Sequence, residues 1–275
     1  MAENYWRVER PNYSSDYQDT FINGSGSHPY GLPGINCSVC KETYGNIHVV
    51  PYFCPDNLIH HKNLLRKWPI SQEEHSALQR QIKEEFHLND IDTSSFPTIY
   101  DFPPVHLKFA SRPESDFLWS TLGSVIVSSK VKMIFEQQKI TGVEFCPAVV
   151  EKVGKRVSVG PIPIASTGEP EDIIEEIEGE QKPAEFGPLY EMVITSVSGL
   201  PPGAEAVTQC SACGREDFDQ SKRVLALTEN MLPLTDVFFL ATSLYIIVTD
   251  KVREVCWRSE FTNVEFSWFP MDSSR

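Results

Sequence analysis

The chain lacks the long apolar segments that a membrane span or a secretory leader requires. A transmembrane helix needs about 18 or more consecutive apolar residues, and the longest apolar stretches here, at 237–241 and 244–248, have the length of strands. No basic region followed by an apolar one opens the sequence, so no signal peptide is predicted. We therefore expect no membrane partner and a cytoplasmic location. In that compartment the seven cysteines are expected to be thiols, metal ligands or core residues rather than disulfides.

The sequence also lacks the motifs of the common enzyme classes. It contains no G-x-S-x-G elbow, no Walker A loop, no H-E-x-x-H helix and no G-x-G-x-x-G turn before a helix. Its seven histidines show no metal-ligand spacing. We therefore predict no catalytic residues and no enzymatic activity, while a metallohydrolase assembled from scattered histidines stays open as an alternative.

Positive charge is scarce in this chain. The 24 lysines and arginines stand against 38 aspartates and glutamates, which gives a net charge of −14. A nucleic-acid-binding protein needs a cationic surface to neutralise phosphates, so this balance predicts no nucleic-acid partner. It is compatible with a positively charged protein partner, and equally with an acidic surface that only keeps the chain soluble.

Composition divides the 275 residues into three parts. Residues 1–158 are predicted to form an N-terminal half, 159–184 an acidic linker interrupted by prolines, and 185–275 a C-terminal half. A run of acidic residues is usually a solvated loop, but it is also our candidate for steering a basic partner. The candidate partner-binding residues in this linker are Glu171, Asp172, Glu175 and Glu176.

An internal similarity relates the two halves. Residues 126–145 align without gaps on 247–266, and eight of the aligned pairs are identical. Those pairs are Ile126/Ile247, Val127/Val248, Lys130/Lys251, Val131/Val252, Thr141/Thr262, Val143/Val264, Glu144/Glu265 and Phe145/Phe266. Each copy predicts a β-branched strand, a helix and the beginning of a second strand. Chance similarity between two such units is the alternative to duplication.

Particular residues of this repeat have predicted structural roles. Ser128 and Thr249 are expected to cap the two helices, because a hydroxyl can accept a free N–H of the first helical turn. Gly142 or Asn263 suits a left-handed turn after each helix. Asp116 and Asp236 head the two units, and Val131 and Val252 are predicted to be buried at equivalent positions.

Two further segments have clear local patterns. Residues 71–88 predict a surface helix, with Ser71 and Glu74 forming a capping box and Leu78, Ile82 and Phe86 forming one apolar stripe. Tyr5–Val8 predicts a short strand within an otherwise irregular N-terminal region.

The cysteines provide the clearest chemistry. Cys37 and Cys40 form one C-x-x-C knuckle, and Cys210 and Cys213 form another. Two knuckles can supply the four thiolates that a structural zinc ion prefers, although zinc ribbons space their knuckles only about 15–20 residues apart. A redox dithiol and a buried group of cysteines without metal are the alternatives. Among the remaining cysteines, Cys54 is a possible spare ligand, and Cys146 and Cys256 are expected to be core residues.

These motifs resemble the bacterial double-CXXCG motif proteins in three places. Residues 31–45, with Cys37 and Cys40, resemble the beginning of that family. Phe117-Leu-Trp119, Ile126-Val-Ser-Ser and Gly142-Val-Glu-Phe-Cys-Pro147 resemble its middle, and Cys210-Ser-Ala-Cys213-Gly214-Arg215 resembles its second motif. The similarity covers about 30–55, 110–150 and 190–275, with the motifs in the family's order. Lys41 stands where the family has glycine.

The resemblance implies a function, and the repeat predicts the fold. The family includes Sit-type immunity proteins, which neutralise polymorphic toxins, so it implies a non-enzymatic protein that binds a cognate toxin, such as a basic nuclease. We expect an α+β fold of two related strand–helix–strand halves with mixed or antiparallel sheets, tied by one Zn²⁺ on four cysteines. An uncharacterised zinc protein with thiol-redox or metal-dependent activity is the alternative. The oligomeric state stays open.

Overall fold

The computed structural model describes most of the predicted elements. The residues it describes are 4–11, 24–31, 34–44, 48–49, 69–85, 100–109, 113–119, 124–153, 187–200, 208–212, 216–217, 226–241, 243 and 245–271. Strands dominate, with helices packed on them and with both antiparallel and parallel strand pairs, so the predicted α+β class is confirmed. The division at residues 158 and 184 stays a prediction. Within the described part, no helix is both long and apolar enough to cross a membrane.

The elements follow one another in a simple order. The α-helices of the described part are α1 (Gln72–Glu85), α2 (Ser129–Gln137) and α3 (Asp250–Arg258), and Glu229–Met231 forms a 3-10 turn. The strands are β1 (Tyr5–Glu9), β2 (Gly24–Ser27), β3 (Tyr30–Gly31), β4 (Ile35–Asn36), β5 (Thr43–Tyr44), β6 (His48–Val49), β7 (Tyr100–Phe102), β8 (His106–Phe109), β9 (Phe117–Trp119), β10 (Val125–Ser128), β11 (Val143–Pro147), β12 (Val149–Val153), β13 (Leu189–Ile194), β14 (Thr208–Gln209), β15 (Glu216–Asp217), β16 (Val237–Phe239), β17 (Ile246–Thr249) and β18 (Glu265–Phe269).

The predicted strand–helix–strand repeat is confirmed. The first unit runs β9–β10–α2–β11 and the second runs β16–β17–α3–β18. Val131 and Val252 are both buried on the inner faces of their helices. Gly142 and Asn263 both adopt the predicted left-handed backbone, with φ of 86° and 63°.

Two of the three helix caps predicted from the sequence are present in the structure. The Ser71–Glu74 capping box is present, with the backbone N–H of Glu74 donating to Ser71 Oγ and that of Ser71 donating to Glu74 Oε2. Ser128 Oγ accepts from the Val131 N–H at 3.4 Å, as predicted. The predicted side-chain cap by Thr249 is absent: Thr249 occupies the N-cap position, but its hydroxyl accepts no N–H of α3 and donates to Asp236 Oδ1 at 3.3 Å.

Each unit completes its sheet with a strand from elsewhere in the chain. Sheet I has the order β9-β10-β13-β11, and sheet II has the order β16-β17-β1-β18. The central strands β13 and β1 occupy equivalent positions in the two sheets. Tyr190 of β13 pairs with Val127 on one side and Pro147 on the other. Trp6 of β1 pairs with the aligned residues of the second unit, Val248 and Trp268. β1, at the N-terminus, therefore completes the sheet of the second unit, and β13, which follows the first unit, completes the sheet of the first.

Reciprocal hydrogen bonds join the two units. The carboxylate of Asp116 accepts from the backbone N–H of Thr262 at 3.1 Å, and that of Asp236 accepts from the backbone N–H of Thr141 at 2.9 Å. Each carboxylate also accepts from the Ser128 or Thr249 hydroxyl of its own unit. Each unit therefore holds the turn that follows the other unit's helix.

The core lies between the two units and extends outward on both sides. A shared apolar cluster contains inward side chains of both units, among them Val131, Phe135, Val252 and Phe261. The opposite face of sheet I packs on the three-stranded sheet β12-β8-β2 through Leu107, Phe109, Leu118 and Ile126. The opposite face of sheet II is covered by Leu227 and Met231 instead. The two units share a framework and differ in what covers it.

Candidate metal centre

The first cysteine knuckle lies at the tip of a short hairpin. β4 and β5 pair antiparallel, and Cys37 and Cys40 lie in the turn between them. The turn is closed by two backbone hydrogen bonds of 3.0 Å, from Cys37 N to Glu42 O and from Lys41 N to Cys37 O. Lys41 has a φ of 64°, the left-handed conformation that glycine adopts most readily. Lys41 therefore forms a turn in a conformation that favours glycine.

The second knuckle repeats this hairpin. β14 and β15 pair antiparallel, with Cys210 directly after β14 just as Cys37 directly follows β4. The strand pairings match as well, because Gln209 is opposite Glu216 as Asn36 is opposite Thr43. Cys213 lies outside the described residues, as do the spare candidate Cys54 and the acidic candidates Glu171, Asp172, Glu175 and Glu176.

The structure brings cysteines of both knuckles to one place. The sulfur atoms of Cys37, Cys40 and Cys210 all lie within 4.8 Å of one another. Cys37 and Cys210 are 173 residues apart in sequence, yet their sulfurs are separated by 3.8 Å. Cys37 is fully buried, whereas Cys40 and Cys210 are partly exposed.

This spacing of sulfurs suits a shared metal ion. Zn–S bonds of about 2.3 Å in a tetrahedral shell place neighbouring sulfurs about 3.8 Å apart, which is the Cys37–Cys210 separation. A disulfide needs about 2.05 Å. Three soft thiolate donors at such distances are typical of zinc rather than of hard cations, which prefer oxygen. Cys37, Cys40 and Cys210 can therefore supply three thiolate ligands to one metal ion.

The anchoring of the first knuckle is well defined. Ile35 of β4 is buried and bridges to Ile70, the residue before the capping box of α1. Backbone hydrogen bonds from Asn36 N to Ile70 O and from Ile70 N to Gly34 O reinforce this contact. The knuckle is thus held against α1, which is the structural role of the helix predicted at 71–88.

The two predicted core cysteines are confirmed as core residues. Cys146 on β11 and Cys256 on α3 are both buried. Burial raises the pKa of the Cys146 thiol to about 11, and the nearby Glu191 and Glu144 carboxylates add to that effect. Burial alone raises the pKa of Cys256 to about 12. Both are therefore protonated at neutral pH and unsuited to attack a substrate.

Sequence reasoning missed a buried charged cluster behind sheet I. His28 Nε2 lies 3.0 and 2.9 Å from the two carboxylate oxygens of Glu191, and His28 Nδ1 lies 3.7 Å from Asp101 Oδ2. The His28 and Glu191 side chains are almost fully buried. Burial opposes charge on His28, but the hydrogen bond and charge of Glu191 outweigh it and raise the pKa of His28. Partial burial raises the pKa of Asp101 to about 6. The available signal was Glu191 itself, a lone acid inside the apolar run 189–194.

No protein-family model matches the chain, and no curated protein matches it either. The arrangement of Cys37, Cys40 and Cys210 is the structural observation that bears on function.

Proposed function

We propose that the protein is a cytoplasmic immunity protein that binds and neutralises a cognate bacterial toxin without catalytic turnover. In this proposal one structural zinc ion is held by Cys37, Cys40, Cys210 and Cys213. When bound, the ion supplies cross-linking of the two knuckles and no chemistry toward a substrate. The resemblance to double-CXXCG motif proteins, which include toxin-immunity proteins, supplies the function itself.

The convergence of Cys37, Cys40 and Cys210 carries the structural part of this proposal. A catalytic zinc site keeps one coordination position for water or substrate, whereas a structural site is closed by four protein ligands. Two C-x-x-C knuckles that meet at one point have the right number of thiolates for a closed site. Ligand binding at such a site contributes to folding because the unfolded chain does not preassemble it.

The charge of the protein supports a binding role. A net charge of −14 favours approach of a cationic partner such as a basic nuclease, because complementary fields raise association rates. The candidate steering residues are Glu171, Asp172, Glu175 and Glu176. Exposed charges of this kind act mainly on the association rate and less at high salt. Replacing the four with glutamine is expected to slow binding at low ionic strength and to leave the fold intact.

Co-expression with the product of the neighbouring gene tests the function. The neighbouring product is expected to arrest growth alone and to be harmless when this protein is present in equal amount. The control is the same toxin expressed with an unrelated acidic protein. A partner that is harmless alone, or that stays lethal in the presence of this protein, contradicts the immunity function.

Metal analysis tests the zinc site independently. We expect one zinc ion per chain in the reduced, purified protein, and loss of that ion in Cys37→Ser and Cys210→Ser. Both variants are expected to lose several kcal/mol of folding free energy, because about 10–16 kcal/mol of binding is available at structural zinc sites. The matched control is Cys146→Ser, which removes a buried thiol outside the cluster and is expected to retain the metal. Protein without bound metal contradicts the site.

Thiol-redox activity remains the second candidate because Cys40 and Cys210 are partly exposed. A redox dithiol is expected to form a disulfide within one knuckle at the potential of a glutathione buffer. Zinc-bound thiolates are instead expected to stay reduced until the metal is chelated. Mass mapping of disulfides in glutathione buffers, with and without chelator, separates the two functions.

A further inference from the structure

The three sulfurs of the cysteine cluster differ in their access to solvent. Cys37 is fully buried, whereas Cys40 and Cys210 are partly exposed. Oxidation of a cysteine depends on its thiolate character and on its exposure, and a metal-bound thiol is deprotonated. A small oxidant in solution therefore reaches Cys40 and Cys210 before Cys37, and meets them as thiolates when the site holds its ion.

The buried sulfur lies close to an accessible sulfur of the other knuckle. Cys37 Sγ is 3.8 Å from Cys210 Sγ, whereas a disulfide needs about 2.05 Å. The two sulfurs must therefore approach by only roughly 1.8 Å to form a bond. Cys37 and Cys210 are 173 residues apart in sequence, so that bond would join the same two hairpins that a shared ion joins.

The first knuckle provides a fixed position for this approach. A backbone hydrogen bond of 3.2 Å from Asn36 N to Ile70 O holds β4 beside α1. Cys37 follows Asn36 directly, and its own backbone N–H donates to Glu42 O at 3.0 Å. The Cys37 sulfur is thus held in place, so the approach depends on rotation of the partly exposed Cys210 side chain.

The other described thiols are protected from oxidation. Cys146 and Cys256 are buried, and burial raises their pKa values to about 11 and about 12. Both are therefore neutral thiols at pH 7 and react slowly with an oxidant. Within the part of the chain that the structure describes, oxidation is thus directed to the cysteine cluster, and Cys146 and Cys256 serve as internal controls.

We propose that the cysteine cluster is a redox-responsive tie, in which hydrogen peroxide replaces the zinc link between the knuckles by a Cys37–Cys210 disulfide and releases the ion. This inference rests on the proposed function for the zinc ion and not for the toxin. Hydrogen peroxide is a stronger oxidant than a glutathione buffer, so it acts on zinc-bound thiolates that such a buffer leaves reduced. The knuckles stay joined in both redox states, because the covalent bond takes over from the metal.

The proposed exchange balances in atoms and electrons. The Cys210 thiolate attacks one oxygen of hydrogen peroxide, so that an S–O bond forms, the O–O bond breaks and hydroxide leaves; Cys210 is then a sulfenic acid. The Cys37 thiolate attacks the Cys210 sulfur, so that the S–S bond forms, the S–O bond breaks and a second hydroxide leaves. The two sulfurs together lose two electrons, which the peroxide gains. The ion loses two thiolate ligands and is released.

Peptide mapping of the oxidised full chain tests this exchange. The reduced, zinc-loaded protein is treated with an equimolar amount of hydrogen peroxide, free thiols are alkylated, and disulfide-linked peptides are identified by mass spectrometry. We expect peptides joined through Cys37 and Cys210, release of the zinc ion to a chromogenic chelator in step with the disulfide, and alkylated Cys146 and Cys256. Dithiothreitol with added zinc is expected to restore the bound metal. Any other pairing of the cluster's cysteines, or retention of zinc with all thiols free, overturns the proposal.

Urea unfolding gives a second readout that needs no variant. The oxidised, zinc-free protein is expected to unfold at a higher urea concentration than the reduced, chelator-treated protein, because a cross-link between residues 173 positions apart restricts the unfolded chain. Equal urea midpoints overturn the tie. The matched control, Cys146→Ser, is expected to form the same cross-link and to release zinc as wild type does. Protein that holds no zinc overturns both the metal site and this exchange, whereas zinc-loaded protein without the cross-link overturns the exchange alone. The co-expression assay decides only the immunity function.

Discussion

The first and second units of this protein share a framework and differ in what covers it. Both have a buried valine on the helix, an aspartate that holds the other unit's turn, and a left-handed residue after the helix. Around that framework, sheet I is covered by another sheet and encloses a buried charged cluster, whereas sheet II is covered by Leu227 and Met231 and has two exposed tryptophans. The shared features therefore specify the fold, and the differences lie in what packs on each sheet.

Each half of the chain supplies the central strand of the other half's sheet, so the two halves depend on each other. β1 provides the central strand of sheet II, and both of its neighbours there, β17 and β18, lie in the C-terminal half. β1 also contributes Tyr5 to the apolar cluster behind sheet II. A unit without its central strand has two strand edges exposed and loses the buried side chains on both faces.

The largest expected effect comes from separating the halves. Residues 185–275 expressed alone are expected to be unfolded, because β1 is missing from sheet II and the shared core is open. Amide resonances in a two-dimensional NMR spectrum are expected to collapse to the narrow dispersion of an unfolded chain. The control is co-expression of 1–184 with 185–275, which restores every strand. A dispersed spectrum for the isolated C-terminal half contradicts the exchanged arrangement.

The turn after each helix offers a second comparison. A Cβ on Gly142 would lie 2.0 Å from the carbonyl oxygen of Val237, in addition to the strain of a φ of 86°. Gly142→Ala is therefore expected to destabilise the protein by about 3 kcal/mol in urea unfolding. Asn263→Gly at the equivalent position relieves the left-handed strain but removes the 2.6 Å hydrogen bond from Asn263 Nδ2 to Phe117 O. Asn263→Gly is expected to lower the free energy of unfolding by about 1 kcal/mol. Equal losses for Gly142→Ala and Asn263→Gly would contradict this difference between the two turns.

These examples show which parts of the structure the sequence could predict. The Ser71–Glu74 capping box, the Ser128 cap and the buried Val131 depend on residues a few positions apart, and all are confirmed. The Thr249 side chain makes no cap hydrogen bond, although its hydroxyl donates to Asp236 just as the capping Ser128 hydroxyl donates to Asp116. The strand Tyr5–Val8 was predicted, but its partners were not, because an alternating pattern specifies a strand without naming its neighbours.

Some features of the metal centre could be predicted from the sequence and others could not. Paired C-x-x-C motifs predict that sulfurs of distant segments meet, and Cys37, Cys40 and Cys210 do meet. The match between the two hairpins was not predicted, because strands of two residues have no periodicity to detect. The His28–Glu191 contact was also missed, since it joins residues 163 positions apart with no motif to link them.

The reciprocal aspartates allow a third comparison. Asp116→Asn and Asp236→Asn each weaken two or more charge-assisted hydrogen bonds to the opposite unit, with an expected cost of about 2 kcal/mol each. Burial disfavours the Asp236 carboxylate, but its hydrogen bonds from Lys251 and Thr141 outweigh that and lower its pKa. The ionised Asp236 carboxylate stabilises the fold fully above the ordinary aspartate pKa. That stabilisation is lost as the pH falls through the lowered pKa of Asp236. Urea unfolding is expected to show that the free energy of unfolding falls less between pH 6 and pH 3 for Asp236→Asn than for wild type.

The smallest expected effect concerns the residue at the centre of each sheet. Glu191 on β13 corresponds to Arg7 on β1, yet Glu191 is buried against His28 whereas Arg7 lies at the surface over the Tyr245 ring and is paired with Glu9. The other groups facing His28 are Asp101 on β7 and, through Glu191, Cys146 on β11.

The raised pKa of His28 sets the sign of the pH dependence. A histidine that is easier to protonate in the folded state stabilises fully below its ordinary pKa of about 6.5, and this stability is lost as the pH rises through the raised value. The raised pKa of Asp101 acts in the same direction, but in the lower window between its ordinary value and about 6. We therefore expect the free energy of unfolding of the wild type to fall as the pH rises from 6.5 to 8.5. His28→Gln is expected to flatten this slope, while Arg7→Gln, the change at the equivalent place in sheet II, is expected to retain it. If wild type, His28→Gln and Arg7→Gln show the same slope, the buried His28–Glu191 cluster is not the source of the pH dependence. The central positions of the two sheets, Glu191 and Arg7, then do not differ in their effect on the pH dependence of stability.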